Sequence, residues 1–267
     1  MKRNIELVLA YDGSGFKGWQ VQPDVRTVQG VLNRKLEKLL AEPIKTMGAS
    51  RTDSGVHAHD QHVTFKIENA IPLVKLARAL NHHLPEDVKL VHALEREEGY
   101  CARRSARAKH YVYIIKQGEQ KNPFLGRYVW SIERDLDFSG MAAAARCFSG
   151  INDFKSLQCV RDFRSRSVVQ IFSSRLEENH GHLCFHVVGR SFLYNMVRNM
   201  VGALIKVGVG DWNVAQFKIN LFSGDRSQMG VTAPAHGLHL LRVFYNRESY
   251  PLDEGKAILN RHFELLD

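Results

Sequence analysis

The chain has 267 residues, 44% hydrophobic and 24% charged. That is the composition of a globular protein with length for two domains or one large one. Lysine and arginine number 37 against 28 acids, a net charge of +9, which favours a polyanionic partner such as nucleic acid. Cys101, Cys147, Cys159 and Cys184 form no Cys-x-x-Cys pair, so neither a zinc ribbon nor a thioredoxin-like site is supported, and scattered thiols point to a reducing cytoplasm. Glu6 interrupts the place of a signal-peptide apolar run, and Lys206 breaks the stretch from Met200 to Val209, so no secretion signal and no membrane span are expected.

In chain order, Ile5 to Tyr11 reads as a strand. The loop from Asp12 to Gln20 follows, with Gly13, Gly15 and Gly18 around Phe16 and Trp19. It lacks the Walker lysine-hydroxyl pair and any GxGxxG, so it reads as a turn whose aromatics fold back on the core, with Asp12 on a site rim. Thr27 caps a helix to about Leu40, with Val28, Val31, Leu32, Leu36 and Leu39 on its apolar face. Ile44 to Met47 and His62 to Ile67 read as strands around a polar loop. Pro72 opens a second helix to about His82, and Val88 to Leu94 is a strand. This is an α+β pattern.

The basic run Arg103, Arg104, Arg107, Lys109 leads into the strand Tyr111 to Ile115. The small residues between these cations suit a polyphosphate backbone, and a solvated linker fits the charge equally well. The domain boundary is placed here, giving 1–105 and 106–267. Asp137 or Ser139 caps a helix over Met141 to Phe148, and Gly150 to Phe154 reads as a turn. Arg161, Arg164 and Arg166 form a second basic cluster. Val168 to Leu176 and Leu183 to Val188 form a hairpin around Asn179-His180-Gly181-His182. A helix over Phe192 to Val207 carries Arg198 off its apolar stripe, beside Tyr194 and Ile205. Leu238 to Tyr245 is a late strand. The second half loosely echoes the first.

The polar loop concentrates chemistry. Gly48-Ala49-Ser50-Arg51-Thr52-Asp53-Ser54-Gly55-Val56-His57-Ala58-His59 places a carboxylate, a cation, hydroxyls and imidazoles between two strands. A carboxylate on a loop anchored by sheet at both ends is well placed to react, although Asp-Ser-Gly is also ordinary turn composition.

Together with Tyr11-Asp12-Gly13-Ser14, Phe16, Gly18-Trp19-Gln20, Asn81 with Leu84-Pro85, Ala102-Arg103 through Tyr111, Phe192-Leu193, Met196-Val197-Arg198, Gly202, and His236-Gly237-Leu238 with Leu240, this loop resembles the TruA-type tRNA pseudouridine synthases. Arg51-Thr52-Asp53-Ser54-Gly55-Val56-His57 is the specific part. Ser50 stands where the family usually has glycine, Ser54 where it has alanine, and Cys101 where it has histidine or serine. The resemblance implies two similar α/β subdomains with joined, mainly antiparallel sheets around a basic cleft. It implies a homodimer that binds tRNA and isomerises uridine to pseudouridine at positions 38 to 40 of the anticodon stem-loop, without cofactor or metal. By motif, Asp53 matches the catalytic aspartate, Tyr111 a tyrosine that stacks on the target base, and Arg103 an arginine that helps flip it. Arg198 matches an arginine that pairs with the catalytic carboxylate, and Leu238 a pocket residue.

The chemistry suits these residue types. The base must leave its stem, at an unstacking cost of about a few kcal/mol. An arginine can fill the gap and an aromatic ring can receive the base. The aspartate must be ionised to attack the sugar or to remove a proton, and an adjacent guanidinium favours that form. Two rivals remain at this stage. A noncatalytic RNA-binding module fits the charge, but has no use for a carboxylate that repels phosphate. A metal hydrolase built on His57, His59, Asp60 and His62 is disfavoured by strand alternation, which sends the first two and the last two to opposite faces.

Overall fold

The computed structural model describes residues 2–118, 123–159, 166–246 and 250. The chain divides into two compact units. The first comprises the residues up to Arg107 together with Leu240–Asn246, and the second has Ala108–His239 as its body.

The first unit contains β1 (Arg3–Tyr11), α1 (Val28–Leu40), β2 (Met47–Gly48), β3 (His57–Ile67), α2 (Leu73–His83), β4 (Val88–Arg96) and the short helix α3 (Ala102–Ser105). Strand β1 is central, antiparallel to β3 on one side and to β4 on the other. Its alternate residues Ile5, Leu7 and Leu9 are fully buried, and so is Glu6 on the opposite face. A strand covered on both faces needs a partner for every polar side chain, which bears on the site below. Helix α1 starts where Thr27 Oγ1 accepts the Gly30 N–H. It buries Val28, Val31, Leu32, Leu36 and Leu40, and stops at Ala41, whose φ of 57° is left-handed.

The second unit contains β5 (Ala108–Gln117), β6 (Trp130–Ile132), α4 (Phe138–Arg146), β7 (Gly150–Asp153), β8 (Val168–Asn179), β9 (His182–Gly189), α5 (Met196–Gly208) and α6 (Val214–Leu221). Its strands run in the order β5-β9-β8-β7, all antiparallel, with β6 parallel to β5. Phe148 packs edge-on against Phe185 of β9 and Phe217 of α6, joining helices to sheet. The final strand β10 (Leu238–Phe244) places its residues from Leu240 onward in the first unit, beside β3. Both units are thus mainly antiparallel sheets carrying helices.

Several sequence expectations change. Ile44 to Met47 is not a strand; only Met47 and Gly48 pair, opposite Thr64 and Val63. Strand β3 begins at His57 rather than His62, because β1 continues pairing through a bulge to Tyr11 opposite Ala58. Gly150 to Asp153 has turn composition but pairs with β8 as a strand. The helix expected from Phe192 begins at Met196, since Asn195 at φ 58° breaks the right-handed helix. Strand β6 and helix α6 have no counterpart among those expectations. The turn at His180 and Gly181 does, and both residues have positive φ, 46° and 66°, which suits a tight hairpin. Of the second basic cluster, Arg161 and Arg164 lie outside the described residues, and Arg166 is exposed.

Candidate active site

In the first unit, the loop from Ser50 to Val56 is fixed from several directions. Gln61, fully buried, accepts the Ser50 N–H at 3.1 Å and donates to the Ser50 carbonyl at 2.7 Å. The Tyr11 hydroxyl lies 2.7 Å from Thr52 Oγ1. The Thr52 carbonyl accepts the Trp19 N–H at 3.0 Å, and the Asp53 carbonyl accepts the Val56 N–H at 3.2 Å. Thr52 is buried, Asp53 half-buried, and Arg51 and Ser54 exposed. Gln61, Tyr11 through Thr52, and Trp19 therefore hold the chain on the N-terminal side of Asp53.

The glycine-rich loop is the other half of this arrangement. Phe16 and Trp19 are buried, as the fold-back reading expected. A methyl added to Gly13 would fall on the Val56 carbonyl. Gly18, at φ 89°, brings its backbone against Thr52, Asp53 and Ser54, where a methyl would come within 2.8 Å of the Thr52 carbonyl. Gly48 lies beneath the Trp19 indole, at 2.6 Å by the same measure. The glycines thus allow one loop to lie directly against the other. Gly13→Ala is expected to force backbone apart, costing about 1–3 kcal/mol, whereas Gly15→Ala meets only the side-chain ends of Arg26 and Asp87. Thermal melting and turnover of the two variants check this; equal behaviour would contradict it.

His57 is buried, and its Nδ1 accepts the Gly13 N–H at 3.0 Å. That nitrogen also lies 3.2 Å from Asp12 Oδ1. Asp12 Oδ1 also takes the Ser14 N–H at 2.9 Å. Asp12 and His57 thereby tie the start of the glycine loop to the end of the Asp53 loop.

A second cluster surrounds Glu6. Its carboxylate accepts from His62 Nδ1 at 3.0 Å, the Tyr100 hydroxyl at 2.8 Å and Arg96 Nε at 2.7 Å. His62 Nε2 meets Asp60 Oδ1 at 3.1 Å, and Asp60 Oδ2 accepts the Val243 N–H of β10 at 2.8 Å. Burial alone would push the His62 pKa down, but the two carboxylates reverse this and raise it to about 9. Burial opposes ionisation of Glu6, yet bonds from His62, Tyr100 and Arg96 hold its pKa below the usual value. Asp60 and His62 share a face, as alternation implied, and Asp60 joins two strands. Among the described residues no group of three or more His, Cys, Asp or Glu is arranged to hold a metal ion.

Arg103 stands exposed on α3, with Arg104 and Arg107 close by and also exposed. Arg104, Arg107, Tyr100 and Tyr245 help line an open cleft of about 770 Å³ within the first unit.

Tyr111, Arg198 and Leu238 lie in the second unit, and Asp53 and Arg103 in the first. Tyr111 is on the same face of β5 as Tyr113, and its ring meets Phe192 edge-on at 5.2 Å. The half-buried Arg198 donates through Nε to the Ala233 carbonyl at 2.7 Å and through Nη1 to Asn195 Oδ1 at 2.9 Å. The Ala233 N–H returns to the Arg198 carbonyl at 3.1 Å. Arg198 is therefore an anchored residue rather than a solvated flank. Gly202 admits the Val231 carbonyl, the Tyr113 hydroxyl donates to the Pro234 carbonyl at 2.8 Å, and Gly237 sits against the Tyr113 ring. The segment running into Leu238 is thus fastened to both α5 and β5, close to Arg198. Burial raises the Tyr113 pKa, with Arg198 opposing that shift, so this phenol is a hydrogen-bond donor rather than a base.

Sequence reasoning passed over Gln61, Thr52 with Tyr11, and the Glu6 cluster. Buried polar residues on a strand beside a functional loop were the available signal.

The profile of the tRNA pseudouridine synthase family matches residues 7–100 and 144–246. A relative from Pseudothermotoga lettingae is 41% identical over 91% of this chain and 99% of its own. One from a Thermoanaerobacter species is 37% identical over 91% of this chain and all of its own, and one from Thermotoga maritima 40% identical over 92% and all of its own. Each of these relatives is named tRNA pseudouridine synthase A. The chain belongs to the tRNA pseudouridine synthase family, whose members are isomerases acting on uridine in tRNA.

Proposed function

We propose that the protein converts uridine to pseudouridine at positions 38 to 40 of the tRNA anticodon stem-loop, with Asp53 as catalytic residue. The observation that carries this reading is the half-buried Asp53 in the Arg-Thr-Asp loop, whose neighbouring backbone is held by Gln61 and Trp19 and whose neighbour Thr52 meets Tyr11. The N1–C1′ bond breaks and C5–C1′ forms. The proton leaving C5 is matched by one taken up at N1, so the reaction is redox-neutral and calls for no cofactor. Ionised Asp53 attacks the sugar or removes a sugar proton. Arg103 fills the space of the flipped base, Tyr111 stacks on it and offers a phenol near C5, Arg198 favours the ionised aspartate, and Leu238 contributes an apolar wall. The test is pseudouridine mapping on unmodified tRNA transcripts after incubation with the protein. Product confined to positions 38 to 40 supports the site assignment; product elsewhere only would overturn it.

The domain division at 105/106, the homodimer and the cytoplasmic setting belong to the same proposal and rest on the family resemblance and the sequence. Light scattering is expected to give twice the 30.4 kDa chain mass; a monomer mass at working concentration contradicts the dimer. Arg104 and Arg107, beside an open cleft, are proposed to bind phosphates. Arg104→Gln with Arg107→Gln should weaken tRNA binding and flatten its salt dependence, by about one unit of log–log slope for each phosphate no longer neutralised. An unaltered slope would place these side chains away from the RNA.

A further inference from the structure

We infer that Tyr245 is a positioning residue for Arg103, acting through the short helix that carries it; the inference rests on the proposed base-flipping role of Arg103. Helix α3 spans only Ala102–Ser105. Four residues cannot sustain a helix by their own hydrogen bonds, so tertiary contacts must fix its direction. Two of them grip Ala102, the fully buried residue immediately before Arg103. Its N–H donates to Thr64 Oγ1 of β3 at 3.3 Å, and its carbonyl accepts the Tyr245 hydroxyl at 3.2 Å. Just past the helix, the Arg107 N–H donates to the Phe244 carbonyl at 2.7 Å, so the chain around Tyr245 holds both ends of this turn.

The Tyr245 ring is itself located by the Glu6 cluster. It lies 4.9 Å from the His62 ring and 5.9 Å from the Tyr100 ring, centroid to centroid. Both neighbours are fixed by hydrogen bonds to the buried Glu6 carboxylate. A chain of contacts therefore runs from Glu6 through His62 and Tyr100 to Tyr245, and from its hydroxyl to the peptide that aims Arg103. Glu6, His62 and Tyr245 are distant in sequence from Arg103 and reach it through backbone, which is the arrangement of a support rather than of a reacting group.

The test is a double-mutant cycle of Tyr245→Phe and Arg103→Ala, read by single-turnover pseudouridine formation, tRNA affinity and melting temperature. Tyr245→Phe removes one hydroxyl and keeps the ring. It is expected to slow the step about tenfold, with tRNA affinity unchanged. In the Arg103→Ala background the same change is expected to have less than about a twofold effect, because its route of action is gone. An equal loss in both backgrounds would show a general structural role and overturn the inference. Tyr245→Phe at the wild-type rate with Arg103→Ala slow overturns this inference alone; Arg103→Ala at the wild-type rate overturns the flipping assignment and the inference with it. Should Tyr245→Phe not fold, Thr64→Val carries the same cycle on the other grip.

Discussion

Asp53→Asn is expected to abolish turnover while leaving the fold and tRNA binding intact. Asparagine keeps the size and hydrogen-bonding shape of the side chain and removes its charge, which both proposed roles of the carboxylate require. A loss of at least about 10⁴-fold is the expectation for an essential base or nucleophile. Nearby acids offer no rescue: Asp60 is engaged by His62 and by the Val243 N–H, and Asp12 by the Ser14 N–H. The loop should keep its form, because Gln61 grips the Ser50 peptide and Trp19 the Thr52 carbonyl. Melting is expected within a few degrees of wild type, as for a substitution that leaves the core packing intact. Affinity should hold or rise slightly, since a negative charge leaves a phosphate-binding surface. Substrate and product are isomers, so tritium release from C5-labelled uridine is the measure. A well-folded variant that still turns over would remove Asp53 from the catalytic role and place the reacting group elsewhere.

The second large effect falls on stability. His62 is enclosed by Glu6 from β1, Asp60 from its own strand and the Tyr245 ring, with Arg96 and Tyr100 also bound to Glu6. Its pKa of about 9 lies above the ordinary 6.5, so the folded state binds this proton more tightly than the unfolded one. The resulting stabilisation is complete below pH 6.5 and is lost as pH rises through about 9. The low Glu6 pKa acts in the opposite sense: its contribution is present above the ordinary carboxylate value of 4.5 and fades as pH falls below it. His62→Leu leaves two carboxylates without the imidazolium. The expected cost near neutrality is about 3–5 kcal/mol, or roughly 10 °C or more in melting temperature. The gap between variant and wild type should narrow from about pH 7 to about pH 9.5 as the wild type loses its proton. A gap constant across that range would mean that the folded protein holds a neutral His62.

Local chemistry wrote much of this fold legibly. Thr27 and Asp137 cap helices because their side chains satisfy N–H groups three residues on, and the His180-Gly181 turn follows from residues that tolerate positive φ. The Asp53 loop was legible for the same reason, as a cluster of adjacent reactive types. The illegible features depend on partners distant in sequence. Nothing local tells that Gly150 to Asp153 pairs with β8, or that Gly13 and Gly18 are needed for the approach of residues 52 to 56. His62 read only as a strand residue and a disfavoured metal ligand because its partners Glu6 and Asp60 lie on two strands, and its raised pKa depends on both being buried with it. Phe192 showed helical spacing, yet Asn195 took a left-handed conformation that periodicity does not register.

The first unit draws one strand from far along the chain, after the body of the second. During synthesis the ribosome must add more than about a hundred residues between Arg107 and Leu240, of order ten seconds of elongation at typical rates. Throughout that interval Asp60 lacks the Val243 N–H, the Glu6 cluster lacks the Tyr245 ring, and part of the β3 edge is open to pairing with other chains. A nascent chain can therefore display the whole Arg-Thr-Asp motif long before the frame behind it closes. The nascent protein is most exposed to aggregation while its most characteristic sequence is already made, and chaperone protection matters most in that interval.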